Sequence, residues 1–368
     1  MNEYQILNDL VKMNTIKDKE NRKIIDYIEV YLQKLGFQTE YKSKLLIMKI
    51  GEKPHIGFLG HTDTVEYIDE FKNPFELKNV NGFLYGLGTC DMKGGIAAML
   101  EAVSKIDFSK CYYGMKLYFT YDEEIGFGGV KELVSRGEVF PPYMIFGEPT
   151  NNEIYTGHKG LLLFEVHMKG KKAHSSNPEK GISANLNAVK FLYELEQFYQ
   201  KKIRNDLEKH YDIPYTTMNV GILQGGSAMN SVPAFCKFTM DFRIANSNHI
   251  SKIQREVKKL AEKYFADVKE VECILPFVDE IDFLHVTKTT NFMTEASRVY
   301  GSQRIILGPG PVTAHEVNER ISIESYKKLV EQYQDLIYQV CKSKALSSSK
   351  KYKKIIENNL TKLYNLND

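Results

Sequence analysis

The sequence predicts an α/β catalytic domain, a largely parallel central sheet flanked by helices, interrupted by a smaller inserted α+β domain. Three observations predict it. Helix and strand patterns alternate through the first half of the chain, a run of four strands and two helices follows Lys159-Gly160, and the alternation resumes after Pro276. The catalytic domain is therefore expected at 1–159 and 276–341, the insert at 160–275, and a basic, serine-rich tail at 342–368.

In the first part, Ile24, Ile28, Tyr31, Leu32 and Leu35 share one helical face, with Gly36 as the C-cap. His55 to Leu59 reads as a buried strand, Gly95 to Ile106 as a helix with Ile96, Met99, Leu100 and Val103 on one side, and Met115 to Tyr121 as a second strand. Val130 to Val134 sits in a short helix, and Tyr143 to Phe146 is a third strand. In the insert, Leu161–Met168, Thr217–Leu223, Phe235–Ile244 and Val268–Ile274 are strands, while Ile182–Tyr199 and Ile250–Tyr264 are helices, which suits a small sheet with helices on one face. After Pro276 come a helix at Thr290–Val299, a strand at Arg304–Leu307 and a helix at Ser322–Val340. In the tail, Ile355, Ile356, Leu360 and Leu363 line one face of a helix, read as docked on the surface, with a partner-binding or membrane-surface helix as the alternative.

Composition bounds the function. At 368 residues the chain is longer than one core usually fills, so two domains are natural. With 49 basic and 47 acidic residues the formal charge is +2, which gives no case for nucleic acid or an anionic membrane as partner. Met1-Asn2-Glu3-Tyr4-Gln5 does not open as a signal peptide does, and no apolar run is long enough to cross a bilayer. Cys90, Cys111, Cys236, Cys273 and Cys341 are odd in number and scattered, which argues against a disulfide framework or a thiolate zinc site. The expectation is a soluble cytoplasmic protein.

Five segments place metal-binding side chains just past the end of an apolar run: Gly60-His61-Thr62-Asp63, Thr89-Cys90-Asp91-Met92-Lys93-Gly94-Gly95, Asp122-Glu123-Glu124, Gly147-Glu148-Pro149-Thr150 and Ala314-His315-Glu316. Each alone has a plainer explanation: a strand-end histidine beside a surface acid, a helix-capping aspartate, an acidic turn. Their shared location lifts them above it, because ligands of open α/β sheets bind outside the carboxyl ends of the strands. Two histidines and several carboxylates delivered to one edge could hold a pair of divalent metals, and a spare carboxylate among Glu123 and Glu124 could take a proton from water. Asp63, two residues from His61, could fix its tautomer. The glycines around Asp91 form neither a G-x-G-x-x-G fingerprint nor a G-x-x-x-x-G-K-[ST] loop, which argues against nucleotide binding.

These motifs resemble the acetylornithine deacetylase, succinyl-diaminopimelate desuccinylase and aminoacylase family of two-zinc metallohydrolases. Gly-His-Thr-Asp-Thr-Val, Tyr-Gly-x-Gly-Thr-x-Asp-Met-Lys-Gly-Gly, Asp-Glu-Glu-x-Gly, Gly-Glu-Pro-Thr and Gly-Pro-Gly with Ala-His-x-x-Asn-Glu occur in order between Gln5 and Val340. The resemblance implies a zinc exopeptidase-like catalytic domain with a ferredoxin-like lid and dimerisation domain, and a homodimer through that insert. It implies that Asp91 bridges two zinc ions, with His61 and Glu148 completing one site and Glu124 and His315 the other, and that cobalt or manganese could substitute. Glu123 would be general base and then proton donor, Asp63 the partner of His61, and the Asp91-Met92 peptide cis. Lys171 to Ser176 resembles the lid histidine segment, so His174 would stabilise the oxyanion. Asn230, in the glycine-rich run Gly225 to Pro233, and Arg243 would bind substrate, although Arg243 could equally pair with Asp241 in its own strand. Gly308 would also bind substrate, and its run Gly308-Pro309-Gly310 looks more like the acetylornithine deacetylases than the desuccinylases. Leu87 stands where many relatives have arginine, and the chain has no tryptophan after Asp63 or anywhere else. The expected activity is amide hydrolysis of a small N-acyl amino acid, with desuccinylase, aminoacylase or dipeptidase activity as alternatives and a non-catalytic metal-binding scaffold as the reading of another class.

Overall fold

The computed structural model describes residues 4–17, 19, 21–67, 70–284 and 288–342. They divide into two compact units: 4–156 with 279–284 and 294–342, and 157–278 with 288–293.

The first unit opens with α1 (Gln5–Lys12), α2 (Asn21–Lys34), β1 (Gln38–Lys42), β2 (Leu46–Ile50) and β3 (Ile56–His61). Then come β4 (Lys78–Val80), β5 (Phe83–Tyr85), α3 (Lys93–Ser104), β6 (Met115–Thr120), α4 (Glu123–Gly126), α5 (Gly128–Ser135) and β7 (Tyr143–Phe146). The second unit contains β8 (Gly157–His158), β9 (Gly160–Lys169), β10 (Ala173–His174), α6 (Ala184–Lys202), β11 (Thr217–Gly225), β12 (Ser231–Val232), β13 (Phe235–Ile244), α7 (Asn248–Tyr264), β14 (Ala266–Ile274), β15 (Phe277–Val278) and β16 (Thr289–Thr290). The chain returns to the first unit with β17 (Gln303–Ile306), β18 (Arg320–Ser322) and α8 (Ile323–Lys342).

The first unit is built on a six-stranded sheet of order β1-β2-β6-β3-β7-β17. β6, β3, β7 and β17 run parallel, while β1 and β2 add an antiparallel edge. Every residue of β3 and β7 is buried, as expected of parallel strands covered on both faces. Ile96, Met99, Leu100 and Val103 of α3 enter the core with Phe58, Met115 and the α8 side chains Tyr333 and Ile337. The β1–β2 hairpin is only half visible in the sequence: β2 is a buried apolar run, whereas β1 is mostly exposed and its polar residues lack the apolar alternation that marks a strand. It makes the sheet mixed.

The second unit carries an antiparallel sheet of order β11-β13-β9-β14. β13 alternates inward and outward along its length, and Phe238, Met240 and Phe242 meet Phe191 and Leu195 of α6 and Ile253, Val257 and Leu260 of α7. α6 starts two residues later than its apolar pattern, at the Ser183 cap, whose Oγ accepts from Leu186 N at 3.2 Å.

The helix expected at Thr290–Val299 does not form. Thr289 and Thr290 pair in parallel with β8, the Thr290 hydroxyl accepts from Phe292 N at 3.3 Å, and Thr294 caps a separate single 3-10 turn at Glu295–Arg298. The Thr294 hydroxyl thus takes the Ala296 N–H, at 3.1 Å, that a helix through this segment would have given to the Phe292 carbonyl. The tail beyond position 342 lies outside the described residues. Among those described, no helix is long and apolar enough to cross a membrane.

Glycines set how closely α3 approaches the end of β7. A Cβ on Gly95 would sit 2.2 Å from the Gly147 carbonyl oxygen, one residue before Glu148. Gly95→Ala is expected to lower stability by about 1–3 kcal/mol and to weaken divalent-metal uptake. Denaturant unfolding and a metal titration check this, and wild-type values in both would contradict the packing argument.

Candidate metal centre

β3 ends at His61, which is fully buried. Its Nδ1 lies 3.1 Å from the Asp63 carbonyl oxygen and 3.5 Å from Asp63 Oδ1. The backbone carbonyl is thus the nearer acceptor, while Asp63 Oδ2 accepts from Glu124 N at 3.2 Å. Asp63 links the β3 exit to the segment after β6. His61 Nε2 faces Asp91 Oδ1 at 3.1 Å and Glu148 Oε1 at 4.0 Å.

Asp91 precedes α3 and presents one oxygen to each histidine: Oδ1 to His61, and Oδ2 to His315 Nε2 at 3.5 Å. His315 Nε2 also lies 3.2 Å from Glu124 Oε2. Two groups result, His61–Asp91–Glu148 and Asp91–Glu124–His315, each with donor atoms within 4.8 Å of one another and with Asp91 in common. The Asp91-Met92 peptide is cis. Asp122 and His315 hold φ of 60° and 64°, left-handed conformations that non-glycine residues seldom adopt and that gather at functional sites.

The electrostatics fit a cation. Burial favours the neutral form of Glu148, and the charge of Asp91 adds to it, so its carboxyl is held well above the usual range. Glu123, at the start of α4, is raised chiefly by burial, against the pull of His61, with the charges of Glu148, Asp91 and Glu295 adding to the rise. Burial opposes charge on Asp91 too, but hydrogen bonds from His315 and His61 keep its carboxyl below the usual range. Hydrogen bonds to Asp91 and Glu124 lift His315 to about 10. His61 is raised as well, its burial overcome by Asp63 and Asp91. Glu124 Oε1 is buried without a hydrogen-bond partner. Like charges this close need positive charge between them, and imidazole nitrogen with carboxylate oxygen is a donor set suited to zinc, cobalt or manganese.

Glu148 is fixed by backbone contact. Thr150 Oγ1 accepts from Gly308 N at 3.0 Å, and a Cβ on Gly308 would fall 2.1 Å from the Glu148 carbonyl oxygen. What the structure gives Gly308 is this close approach beneath Glu148.

The second unit gathers other residues. His174 is exposed on β10, its Nδ1 accepting from Ser176 N at 3.2 Å. β10 pairs with β12, placing His174 opposite Ser231 and close to Asn230, whose carbonyl accepts from Ser175 N at 3.0 Å. A groove of about 300 Å³ lined by Lys172, Gly226, Ser227, Ser231 and Phe235 adjoins this pair of short strands. Arg243 Nη2 lies 3.1 Å from Asp241 Oδ2, the ion pair within its own strand that the sequence allows.

Two buried acids were not singled out from the sequence. Glu295 donates nothing to either ligand group, but its Oε2 accepts from Thr120 Oγ1 at 2.7 Å, and burial pushes its carboxyl up to about 7. It fell in a segment read as a helix, where nothing distinguished it. Burial raises Glu319 to about 7 as well. It stands at the end of Ala-His-x-x-Asn-Glu, so its motif was visible although its contacts were not.

Residues 156–269 match the model of the peptidase dimerisation domain. Over 351 residues the chain is 30% identical to an acetylornithine deacetylase of Myxococcus xanthus, covering 86% of this chain and 92% of that protein. Over 360 residues it is 30% identical to an acetylornithine deacetylase of Pasteurella multocida, covering 88% and 92%. Among solved structures, an M20 family metallo-carboxypeptidase of Sulfolobus solfataricus superposes with a TM-score of 0.76 at 20% identity, covering 92% of this chain and 99% of that one. A dinuclear metal-binding M20 peptidase of Bacillus subtilis superposes at 0.69 with 13% identity, covering 92% and 97%. Sequence identity maintained across nearly the whole length of these deacetylases, on the mixed sheet and inserted domain described above, establishes that the chain is an enzyme of the M20 family of metal-dependent amidohydrolases and peptidases, to which the acetylornithine deacetylases belong.

Proposed function

We propose that the chain hydrolyses the amide bond of a small N-acyl amino acid, with acetylornithine the first candidate, using two zinc ions. The observation that carries this reading is Asp91 facing both histidines with separate oxygens, while Glu123 interacts electrostatically with His61, Asp91 and Glu148 and lies outside both ligand groups. His61, Asp91 and Glu148 would hold one ion, and Asp91, Glu124 and His315 the other. When bound, such a pair supplies Lewis-acid polarisation of the carbonyl and eases deprotonation of water.

The chain's own groups carry the rest. Burial and neighbouring acids raise the proton affinity of Glu123, which suits it to take a proton from the attacking water and pass it to the leaving nitrogen. Asp63 braces His61 and the Glu124 backbone, which keeps a ligand from each ion in register. His174 would donate to the oxygen of the tetrahedral state from its exposed strand end. Asn230 would hydrogen-bond the polar end of the substrate. Arg243 has guanidinium donors beyond the one given to Asp241 and would receive a carboxylate. A non-catalytic scaffold is disfavoured, since such a protein has no use for a carboxylate poised like Glu123.

A substrate panel on the zinc-loaded protein tests this: acetylornithine, acetyllysine, succinyl-diaminopimelate, acetylmethionine and dipeptides. Free amine is expected from acetylornithine first. Glu123→Ala should retain two metal ions yet lose at least about 100-fold in kcat, and substantial residual turnover would remove Glu123 from its role.

The second unit supports a homodimer. Leu186, Val189 and Tyr193 are exposed along one face of α6, and Ile222 and Leu223 are exposed on the edge strand β11. An open strand edge beside an apolar helix face is suited to pairing with a copy of itself. Leu186→Glu combined with Val189→Asp is expected to shift the protein to monomer in sedimentation experiments. An unchanged mass would exclude this surface.

A further inference from the structure

Glu319 belongs to neither ligand group, yet it is 2% exposed. β18 pairs with β5, Arg320 opposite Tyr85, which sets the residue before β18 against the turn leaving β5. Its backbone carbonyl accepts from Gly86 N at 3.2 Å. Its carboxylate is saturated by the next residues of that turn: Oε2 accepts from Gly88 N at 2.8 Å, and Oε1 from Cys90 N at 2.8 Å and Asp91 N at 3.0 Å. Three backbone donors from four consecutive residues form a concave anion cradle, which this side chain fills.

The same strand also holds the other loop. Thr313 Oγ1 donates to Arg320 O at 2.7 Å and accepts from Arg320 N at 2.9 Å, while Thr313 N lies 3.3 Å from Cys90 Sγ. The segments carrying Asp91 and His315 are thus registered on one short strand, and Glu319 is the charged end of that connection.

The geometry assigns Glu319 as the positioning residue for Asp91: by gripping the Asp91 backbone it aims the two carboxylate oxygens at two different cations. It stands outside both ligand groups, and each of its oxygens accepts from backbone N–H groups. This inference rests on the assignment of Asp91 as the shared ligand, which cobalt uptake by the wild-type protein tests separately: fewer than two ions there would defeat that assignment before Glu319 is considered.

The experiment is a Co2+ titration of metal-free protein followed by visible absorption, on wild type, Glu319→Gln and Glu319→Asp, with circular dichroism to check folding. Glutamine keeps the shape but turns an NH2 toward one of the donors. Aspartate withdraws the carboxylate by about 1.5 Å, one C–C bond. The expected result is wild-type circular dichroism, cobalt affinity lower by about 10–100-fold and an altered d–d band, with Glu319→Asp closer to wild type because it keeps two acceptor oxygens. A merely structural role would lower the thermal midpoint and leave affinity and spectrum unmoved, and that result in folded Glu319→Gln overturns the proposal. Should Glu319→Gln fail to fold, wild-type affinity and spectrum in Glu319→Asp overturn it instead.

Discussion

The repulsion among buried carboxylates is the constraint around which the first unit is arranged. Asp91, Glu124 and Glu148 share two clusters whose donor atoms lie within 4.8 Å, and Glu123 feels the charge of two of them. At such separations like charges repel by roughly 3–4 kcal/mol per pair at an effective dielectric of 20. Without a cation the acids draw His61 and His315 toward the protonated form. As ligands both imidazoles would be neutral, so the carboxylate charge is left for a pair of divalent cations to neutralise.

The scaffold holds this arrangement by backbone contact. The exits of β3 and β7 and the segment after β6 lie side by side because these strands are parallel and adjacent. Gly95 lets α3 approach Gly147, and Gly308 lets its own loop approach Glu148; at both places a single methyl would meet a carbonyl oxygen at little over 2 Å. Asp63 and Glu319 then use carboxylates as acceptors for backbone N–H groups, so acids outside both candidate groups fix the loops of acids within them.

In the second unit β13 and β9 fill the middle of the sheet, α6 and α7 cover one face, and β11 and β14 are its two edge strands. A short two-stranded ribbon holds His174 opposite Ser231 at the surface. A large core of phenylalanines under α6 and α7 gives these polar loops a rigid base.

Much of this was legible in the sequence. The apolar runs of β3, β6 and β7 and the apolar faces of α2 and α3 are local patterns, so both the elements and the acids and histidines at their ends could be read directly. The 290–299 helix does not form because Thr289 and Thr290 pair with β8 and the Thr294 hydroxyl takes the Ala296 N–H, choices that periodicity does not encode. In the β1–β2 hairpin β1 leaves no apolar signal because it is an exposed edge strand, whereas β2 is a short buried apolar run whose partner only the tertiary structure supplies. Glu295 and Glu319 were passed over for a related reason: a buried acid and a surface acid are the same letter, and burial is a property of the neighbours. The sequence by itself determined which groups could bind metal and that they follow strand ends, since covalent order and side-chain chemistry are local. Only the tertiary structure decided that Asp91 faces two histidines at once, because that depends on segments more than 200 residues apart meeting within a few ångströms.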